Sequence, residues 1–436
     1  MRFPLWLRLL VVSLGLWGAA CEQRTVAPRS ASRSPAASKG PPAVAEHSPA
    51  AALVVALGDV ARGHDLVQRF ECNRCHEGTD FGSAPLSQNC FSCHEQILTG
   101  RFPVSPAALA RFRPHVASAR EAPSLTALGD RLDSTWVRDY LLAPRDLRPA
   151  LTPTMPRLAL DAEQARDIAA YLVRDAKPHG STARPAGNAR RGRELMDEKG
   201  CGSCHAFGGV PPFARGAPLP EGSAAARAAA LAPDLRFTRE RFQPARLSEW
   251  LLDPQAVKAD TRMPNFGLAP EEAADIVAYI LDSPLTPEER APFARLPPLT
   301  RRVSFEEVNR QVFSRTCHHC HTDPEASGGD GGPGNTGGFG FAPRGVSFSS
   351  HASILSGYLD DRGERRSLFE PLADGTPRLV AALLARHYET DGVVQATATV
   401  RPAASRSVRG MPLGLPPLSP EDIQLVETWV AQGKPL

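Results

Sequence analysis

Residues 191–205 read Arg-Gly-Arg-Glu-Leu-Met-Asp-Glu-Lys-Gly-Cys-Gly-Ser-Cys-His, and the organisation of the whole chain follows from this stretch. It ends in C-x-x-C-H, with Gly192 nine residues before the first cysteine. A second copy, Arg62-Gly63-His64-Asp65-Leu66-Val67, leads into Cys72, Cys75 and His76 with the same nine-residue interval. Two further C-x-x-C-H motifs stand at Cys90, Cys93, His94 and at Cys317, Cys320, His321. Eight of the nine cysteines are consumed in this way, which leaves none for a disulfide framework.

C-x-x-C-H is the attachment signature of a covalently bound haem: two thiols form thioethers and the histidine lies beneath the iron. Four motifs predict four haem c groups, held by Cys72, Cys75, Cys90, Cys93, Cys201, Cys204, Cys317 and Cys320. The proximal ligands are then His76, His94, His205 and His321. A zinc ribbon pairs two C-x-x-C knuckles and does not need a histidine after each, and the motifs at 201 and 317 have no partner at knuckle spacing. A thioredoxin-type dithiol expects a βαβ context, which the pattern lacks.

The repeat continues downstream. Ala122-Pro123-Ser124-Leu125 matches Ala232-Pro233-Asp234-Leu235, and Tyr140-Leu141-Leu142-Ala143-Pro144 matches Trp250-Leu251-Leu252-Asp253-Pro254. Met155-Pro156 and Met263-Pro264 each precede a tyrosine, Tyr171 or Tyr279, by 16 residues. Ile168, Tyr171 and Leu172, like Ile276, Tyr279 and Ile280, fall at i, i+3, i+4, one apolar face of a helix. Asp161 and Gln164 form a capping box for the first of these helices.

This order of parts resembles class I cytochrome c over residues 58–178 and 188–284. The resemblance implies an all-α fold in which an N-terminal helix runs into C-x-x-C-H, followed by a Pro-x-Leu loop, a Met-Pro ligand loop and a C-terminal helix. It implies that Pro123 and Pro233 offer carbonyls to His76 and His205, and that Gly63 and Gly192 let Tyr171 and Tyr279 cross closely. It also makes Met155 and Met263 sixth ligands, with Met411, the third Met-Pro methionine, in the same role for the last haem. The region from 303 to 436 is a weaker likeness, since Val308 stands where the other copies have glycine. There, Ser304 and Glu307 predict a capping box, Gly328 to Gly340 a mobile loop, and Ser419 the cap of a last helix that buries Ile423, Val426, Trp429 and Val430.

Domain one, 58–178, therefore carries two haems, domain two, 188–284, carries one, and domain three, 303–436, carries one. The interval from Cys72 to Pro123 exceeds that from Cys201 to Pro233 by 19 residues, and the extra length accompanies the motif at Cys90. His94 to Pro123 matches His205 to Pro233 better in length, but a helix leads directly into Cys72, so the class I position is assigned to Cys72. The haem at Cys90 needs a sixth ligand from elsewhere, and His115 is the choice. His387 is the reserve for Met411, His64 is expected at the surface, and His318 and His319 are expected to point outward.

At the N-terminus Arg2 and Arg8, the apolar run Leu9 to Trp17 and small Gly18-Ala19-Ala20 read as a signal peptide over 1–21. Cys21 falls where a lipoprotein anchor belongs, with Gly18 departing from the usual lipobox. Residues 22–57, rich in Arg, Ser, Ala and Pro, read as a flexible tether. A chain of 436 residues with 50 basic and 47 acidic side chains has a net charge of +3, which gives no argument for nucleic acid. The composite expectation is a tetrahaem, three-domain, all-α electron-transfer protein in the periplasm or on the outer face of a bacterial membrane. Its partners are redox proteins, with a lipid anchor to the membrane. The rivals are a haem enzyme (a peroxidase or small-oxide reductase) with one five-coordinate iron, and a cytochrome subunit of a respiratory complex.

Overall fold

The helices of this computed structural model, in chain order, are α1 Val60–Arg69, α2 Cys90–Thr99, α3 Pro106–Val116, α4 Ser134–Leu142, α5 Ala162–Leu172, α6 Ala189–Glu198, α7 Ala224–Leu231, α8 Thr238–Arg241, α9 Pro244–Leu252, α10 Pro254–Val257, α11 Pro270–Asp282, α12 Phe305–Val308, α13 His351–Leu355, α14 Arg378–Val394 and α15 Pro420–Ala431. Among the described residues, the one sheet is a pair of two-residue strands, β1 Tyr358–Leu359 and β2 Arg365–Arg366. They run antiparallel, Tyr358 opposite Arg366 and Leu359 opposite Arg365. The fold is thus mostly helical. The structure describes residues 58–116, 121–151, 154–177, 183–214, 218–220, 222–287, 293–324, 331–394 and 408–436. The expected leader, Cys21 and the tether to residue 57 lie outside these, as do His47, His179 and the His115 side chain.

The two repeated copies build the same helix crossing from the same residues. Asp59 caps α1 by accepting from the Arg62 N–H at 3.0 Å, and Asn188 caps α6 by accepting from Arg190 and Arg191 N–H at 3.0 and 3.2 Å. These bonds satisfy N–H groups that a helix start leaves orphaned. Each cap residue is held in turn by the C-terminal helix of its copy: Asp59 N–H donates to Asp167 Oδ1 at 2.9 Å, and Asn188 N–H to Asp275 Oδ1 at 2.6 Å. Asp167 is 2% exposed and pairs with Arg62 at 2.9 Å. Asp167 and Asp275 precede the matched isoleucines, so the repeat contained this latch, although sequence reasoning passed over it.

At the crossing, glycine is required by contact. A Cβ on Gly63 would stand 2.1 Å from the Asp167 carbonyl oxygen, and one on Gly192 would stand 2.0 Å from that of Asp275. α1 thereby lays Val67 against Ile168, Ala169 and Tyr171 of α5 in one core, and α6 lays Leu195 and Met196 against Ile276, Tyr279 and Ile280 of α11 in another. Fully burying one such large apolar side chain stabilises by about 1.5–3 kcal/mol. The capping box of α5 is complete: Asp161 Oδ1 accepts from Gln164 N–H at 2.8 Å, and Gln164 Oε1 from Asp161 N–H at 3.2 Å.

The last region solves the same packing problem differently. α12 continues into a π-turn, Asn309–Phe313, whose extra residue per turn re-aims the chain before Cys317. Val308 is fully buried in place of glycine, and the core gathers around Trp429, itself fully buried, with Phe305, Phe313 and Phe369 rings at 5.8–6.0 Å. Ser419 caps α15, accepting from Asp422 N–H at 3.0 Å, and Ile423, Val426, Trp429 and Val430 are buried as the pattern predicted. Only half of the expected box at Ser304 forms. Its hydroxyl accepts from Glu307 N–H at 3.3 Å, but the Glu307 carboxylate turns to Arg301, 2.6 Å away, an ionic partner stronger than a backbone N–H.

The glycine-rich stretch also departs from expectation. Residues 325–330 lie outside the described set; Gly332 and Gly334 then lie against Cys320 and His321, and Gly338 to Gly340 reach Phe70, Glu71 and Arg74 at the first C-x-x-C-H motif. Phe339 N–H donates to Glu71 Oε2 at 2.8 Å, and the Arg74 guanidinium lies 5.3 Å over the Phe339 ring. Glycine here lets the backbone approach a neighbour, a use that composition alone does not separate from mobility. Further ties join the first region to the last, Thr154 N–H to Gly414 carbonyl at 3.0 Å, and to the middle one, Asp234 N–H to Leu147 carbonyl at 2.8 Å.

Candidate haem sites

Three of the four C-x-x-C-H motifs adopt one local form. Cys72–Arg74, Cys201–Ser203 and Cys317–His319 are single 3-10 turns, and each histidine N–H returns to the carbonyl of the first cysteine, at 2.9, 2.9 and 3.0 Å. In such a turn side chains three apart eclipse, so both sulfurs of a motif face the same way.

In the first and third motifs the histidine is then oriented by a proline carbonyl. His76 Nδ1 lies 2.7 Å from the Pro123 oxygen, and His205 Nδ1 lies 2.9 Å from that of Pro233. A carbonyl only accepts, so Nδ1 carries the proton and Nε2 keeps its lone pair for a metal. Burial holds both imidazoles below their ordinary pKa, which favours the neutral, ligating form. The competition for Pro123 is thereby settled: its carbonyl serves His76, not His94. At His321 the backbone of Val346 and Gly334 approaches the ring, without a completed hydrogen bond at Nδ1.

The second motif is unlike the others. Cys90 opens α2, capped by Asn89, which accepts from Ser92 N–H at 2.9 Å, so Cys93 and His94 continue along a regular helix. His94 is buried, and Phe91 packs on its edge at 6.0 Å. The Cys90 thiol lies within hydrogen-bonding reach of Cys75, and this neighbour together with burial pushes the Cys75 thiol well up. Burial likewise raises Cys72 and Cys317 to about 12, and Cys93 and Cys201 to about 11. Arg74 beside Cys75 and Lys199 beside Cys201 pull the other way but are outweighed by burial, so these thiols are neutral.

A cavity of about 990 Å³ is lined by cysteines and histidines of the first, second and fourth motifs, with Met155 and Met411 on its wall. Each methionine also borders the core that one motif borders. Cys72 and Met155 pack on the first core, Cys201 and Met263 on the middle one, and Cys317 and Met411 on the last. Met263 is further oriented by Trp250, whose indole N–H donates to its sulfur at 2.9 Å. The cluster that Cys93 borders, Ile97, Phe102, Leu109 and Val116, contains no methionine. Met196 is 2% exposed and part of the middle core.

Haem fits this lining on a second ground, its charge. Arg131, Arg148 and Arg241 line the cavity, and none makes an ion pair among the described residues. Burial drives Arg241 down to about 9 and Arg131 to about 10, with the positive charge of Arg148 adding to both. The Nε atoms of Arg131 and Arg241 are buried without a hydrogen-bond partner. Clustered, desolvated cations are costly unless an anion joins them, and the two carboxylates of a haem are anions of the required kind.

The other histidines are placed as follows. His64 is half-exposed beside Asp65 and against Phe81 and Tyr171. His387 Nε2 lies 2.7 Å from the Leu418 carbonyl and its ring stacks on Phe293, which occupies the reserve ligand. The expectation that His318 and His319 point outward fails for His318; His319 is exposed, but on the wall of the cavity. His318 Nε2 lies 2.8 Å from the Phe348 carbonyl, and His319 lines the cavity with its ring centre 5.7 Å from that of His94. Flanking positions of a 3-10 turn diverge from the cysteine direction: His318 turns to the Phe348 carbonyl, while His319 is exposed on the cavity wall.

Residues 189–284 match the model of the cytochrome c family. The chain matches no curated protein and no solved structure. The matched segment coincides with the middle copy, from the start of α6 to just beyond α11. This segment is similar to a cytochrome c domain, which supports covalently bound haem c as its cofactor and a haem-based electron-transfer role.

Proposed function

We propose that the chain is a tetrahaem c-type cytochrome that carries electrons in the cell envelope, one per haem. The observation that carries this reading is the identity of geometry between two copies. The Nδ1-to-proline-carbonyl bond, the glycine crossing and the aspartate latch of the matched segment recur in residues 58–178, to which the family match does not extend. Bound at these motifs, haem supplies a one-electron Fe(II)/Fe(III) couple.

The residues divide the work. His76, His94, His205 and His321 would each hold a haem iron, and Met155, Met263 and Met411 would supply a further ligand to three of them. Met/His ligation raises the reduction potential. The proline carbonyls fix the imidazole tautomer and plane, while Trp136, Leu141, Leu147 and Ile168 exclude water from the first site. Arg131, Arg148 and Arg241 neutralise carboxylates at its rim. Regions 58–178, 188–284 and 303–436 are read as three haem-bearing domains, preceded by a signal peptide and a tether anchored through lipid at Cys21. Redox proteins at the membrane are the partners.

The test is a haem count and a ligand-access measurement on the full-length protein from the envelope fraction. Pyridine haemochrome and intact mass are expected to give four haems per chain. The dithionite-reduced spectrum is expected not to change on adding carbon monoxide. Fewer than four haems overturns the tetrahaem reading, and a change worth one haem moves the chain to the enzyme class.

A further inference from the structure

We infer that His319, which stands between the cysteines of the fourth motif, is the sixth ligand of the iron held at the second motif. This rests on the reading that Cys90 and Cys93 carry a haem, with His94 as its proximal ligand.

The imidazole centres of His94 and His319 are 5.7 Å apart and their planes are inclined at 54°. Two imidazoles bound to one metal, each through a bond of about 2 Å, have ring centres about 6 Å apart. Rings stacked directly on each other come closer and lie nearer to parallel. His319 is exposed to the lumen of the cavity that His94 also lines, so the space between the rings belongs to the haem cavity.

The local backbone explains why His319 reaches this place. Cys317–His319 is a 3-10 turn of three residues per turn, so Cys317 and Cys320 eclipse while His318 and His319 leave to either side. His318 is held at the Phe348 carbonyl, 2.8 Å away, and His319 takes the other side, toward α2. The loop after the fourth motif is also tied beside the first, by Phe339 N–H donating to Glu71 Oε2 at 2.8 Å. The second motif has no methionine in its hydrophobic cluster to compete for the position.

The test compares full-length wild type with His319→Ala, His319→Met and His115→Ala. Haem is counted first by pyridine haemochrome, because a wild-type count below four removes the underlying reading and leaves the ligand question behind it. With four haems present, His319→Ala is expected to bind one carbon monoxide per chain when reduced, and to show one high-spin ferric signal by electron paramagnetic resonance. Imidazole added to His319→Ala should abolish both. His319→Met should remain closed to carbon monoxide while one midpoint potential rises, which a purely structural role would not produce. His115→Ala should behave as wild type. The inference is overturned if His319→Ala keeps four closed irons, or if His115→Ala is the variant that opens. Should the alanine variant not accumulate, His319→Met decides alone: an unshifted set of four potentials overturns the proposal.

Discussion

Replacing Gly192 by alanine sets two effects of opposite sign against each other. In an exposed helix the change is favourable, since glycine costs about 1 kcal/mol relative to alanine. Inside the crossing of α6 and α11 a Cβ would meet the Asp275 carbonyl oxygen at 2.0 Å, its carbon at 2.6 Å and Tyr279 Cβ at 2.9 Å. Two of these three are backbone atoms, so no rotamer change relieves the clash and the helices must part by about 1 Å. A gap of that size forfeits roughly a quarter to a half of each dispersion contact along the seam. It also stretches the 2.6 Å bond from Asn188 N–H to Asp275. Overpacking of this kind costs about 1–3 kcal/mol, and the contact is severe enough to place it at the upper end. After the helix-propensity gain is subtracted, the net loss is about 2 kcal/mol. For a segment of this size that corresponds to a fall in its melting temperature of roughly 10 °C. Because the chain has several cores, hydrogen exchange is the sharper assay: amides of Ala189–Glu198 and Pro270–Asp282 should exchange about 30-fold faster, with those of α15 unchanged. If Gly192→Ala is neutral or stabilising, the propensity term has won and the helices do not cross at this contact.

Met155→Ala, Met263→Ala and Met411→Ala should each open one iron, read as one carbon monoxide bound per chain in the reduced protein; a closed spectrum removes that methionine from the ligand set. Arg241→Gln should lower the potential of the haem nearest to it, at Cys72 whose cavity it lines or at Cys201 whose His205 feels its charge, because losing a nearby cation favours the oxidised iron. At about 10 Å and an effective dielectric constant of about 20 the effect is about 1.7 kcal/mol, or on the order of 70 mV for one electron, and an unmoved titration curve places Arg241 away from the haem. Arg301 holds the Glu307 carboxyl below its ordinary value of 4.5, so its contribution to stability is present above that pH and is lost as pH falls through the depressed value. Glu307→Gln should therefore flatten the acid limb of a stability-against-pH curve between about pH 6 and pH 3, and an unchanged limb refutes the pairing.

Most of the helical framework was legible because its signals are short-range. The apolar triplets Ile168, Tyr171, Leu172 and Ile276, Tyr279, Ile280 fix a buried face, and Asp161 with Gln164 fixes a start; both depend only on neighbours a turn apart. The duplication supplied the long-range part, since matched intervals in two copies imply matched crossings. Where no second copy exists, this aid is lost. The Ser304–Glu307 box was misjudged because Arg301 outcompetes a backbone N–H. The loop after Gly331 was misjudged because glycine permits both mobility and close packing, and only the position of Glu71, some 270 residues earlier, decides between them.

The same distinction accounts for the second haem motif. His115 was chosen from proximity along the chain, 21 residues beyond His94, and its side chain lies outside the described residues; the described ring near His94 comes from 225 residues away. Yet the sequence held a usable sign. The residues between the paired cysteines are Asn73 and Arg74, Phe91 and Ser92, Gly202 and Ser203, and finally His318 and His319, the only pair with a metal-ligating side chain. A 3-10 turn sends those two positions away from the direction of its cysteines, His318 to the Phe348 carbonyl and His319 to the cavity wall beside His94. If His319 ligates the iron held at Cys90, that bond ties α2 to the last region. The second motif differs from the others in continuing along a helix capped by Asn89, which sets His94 one turn beyond Cys90.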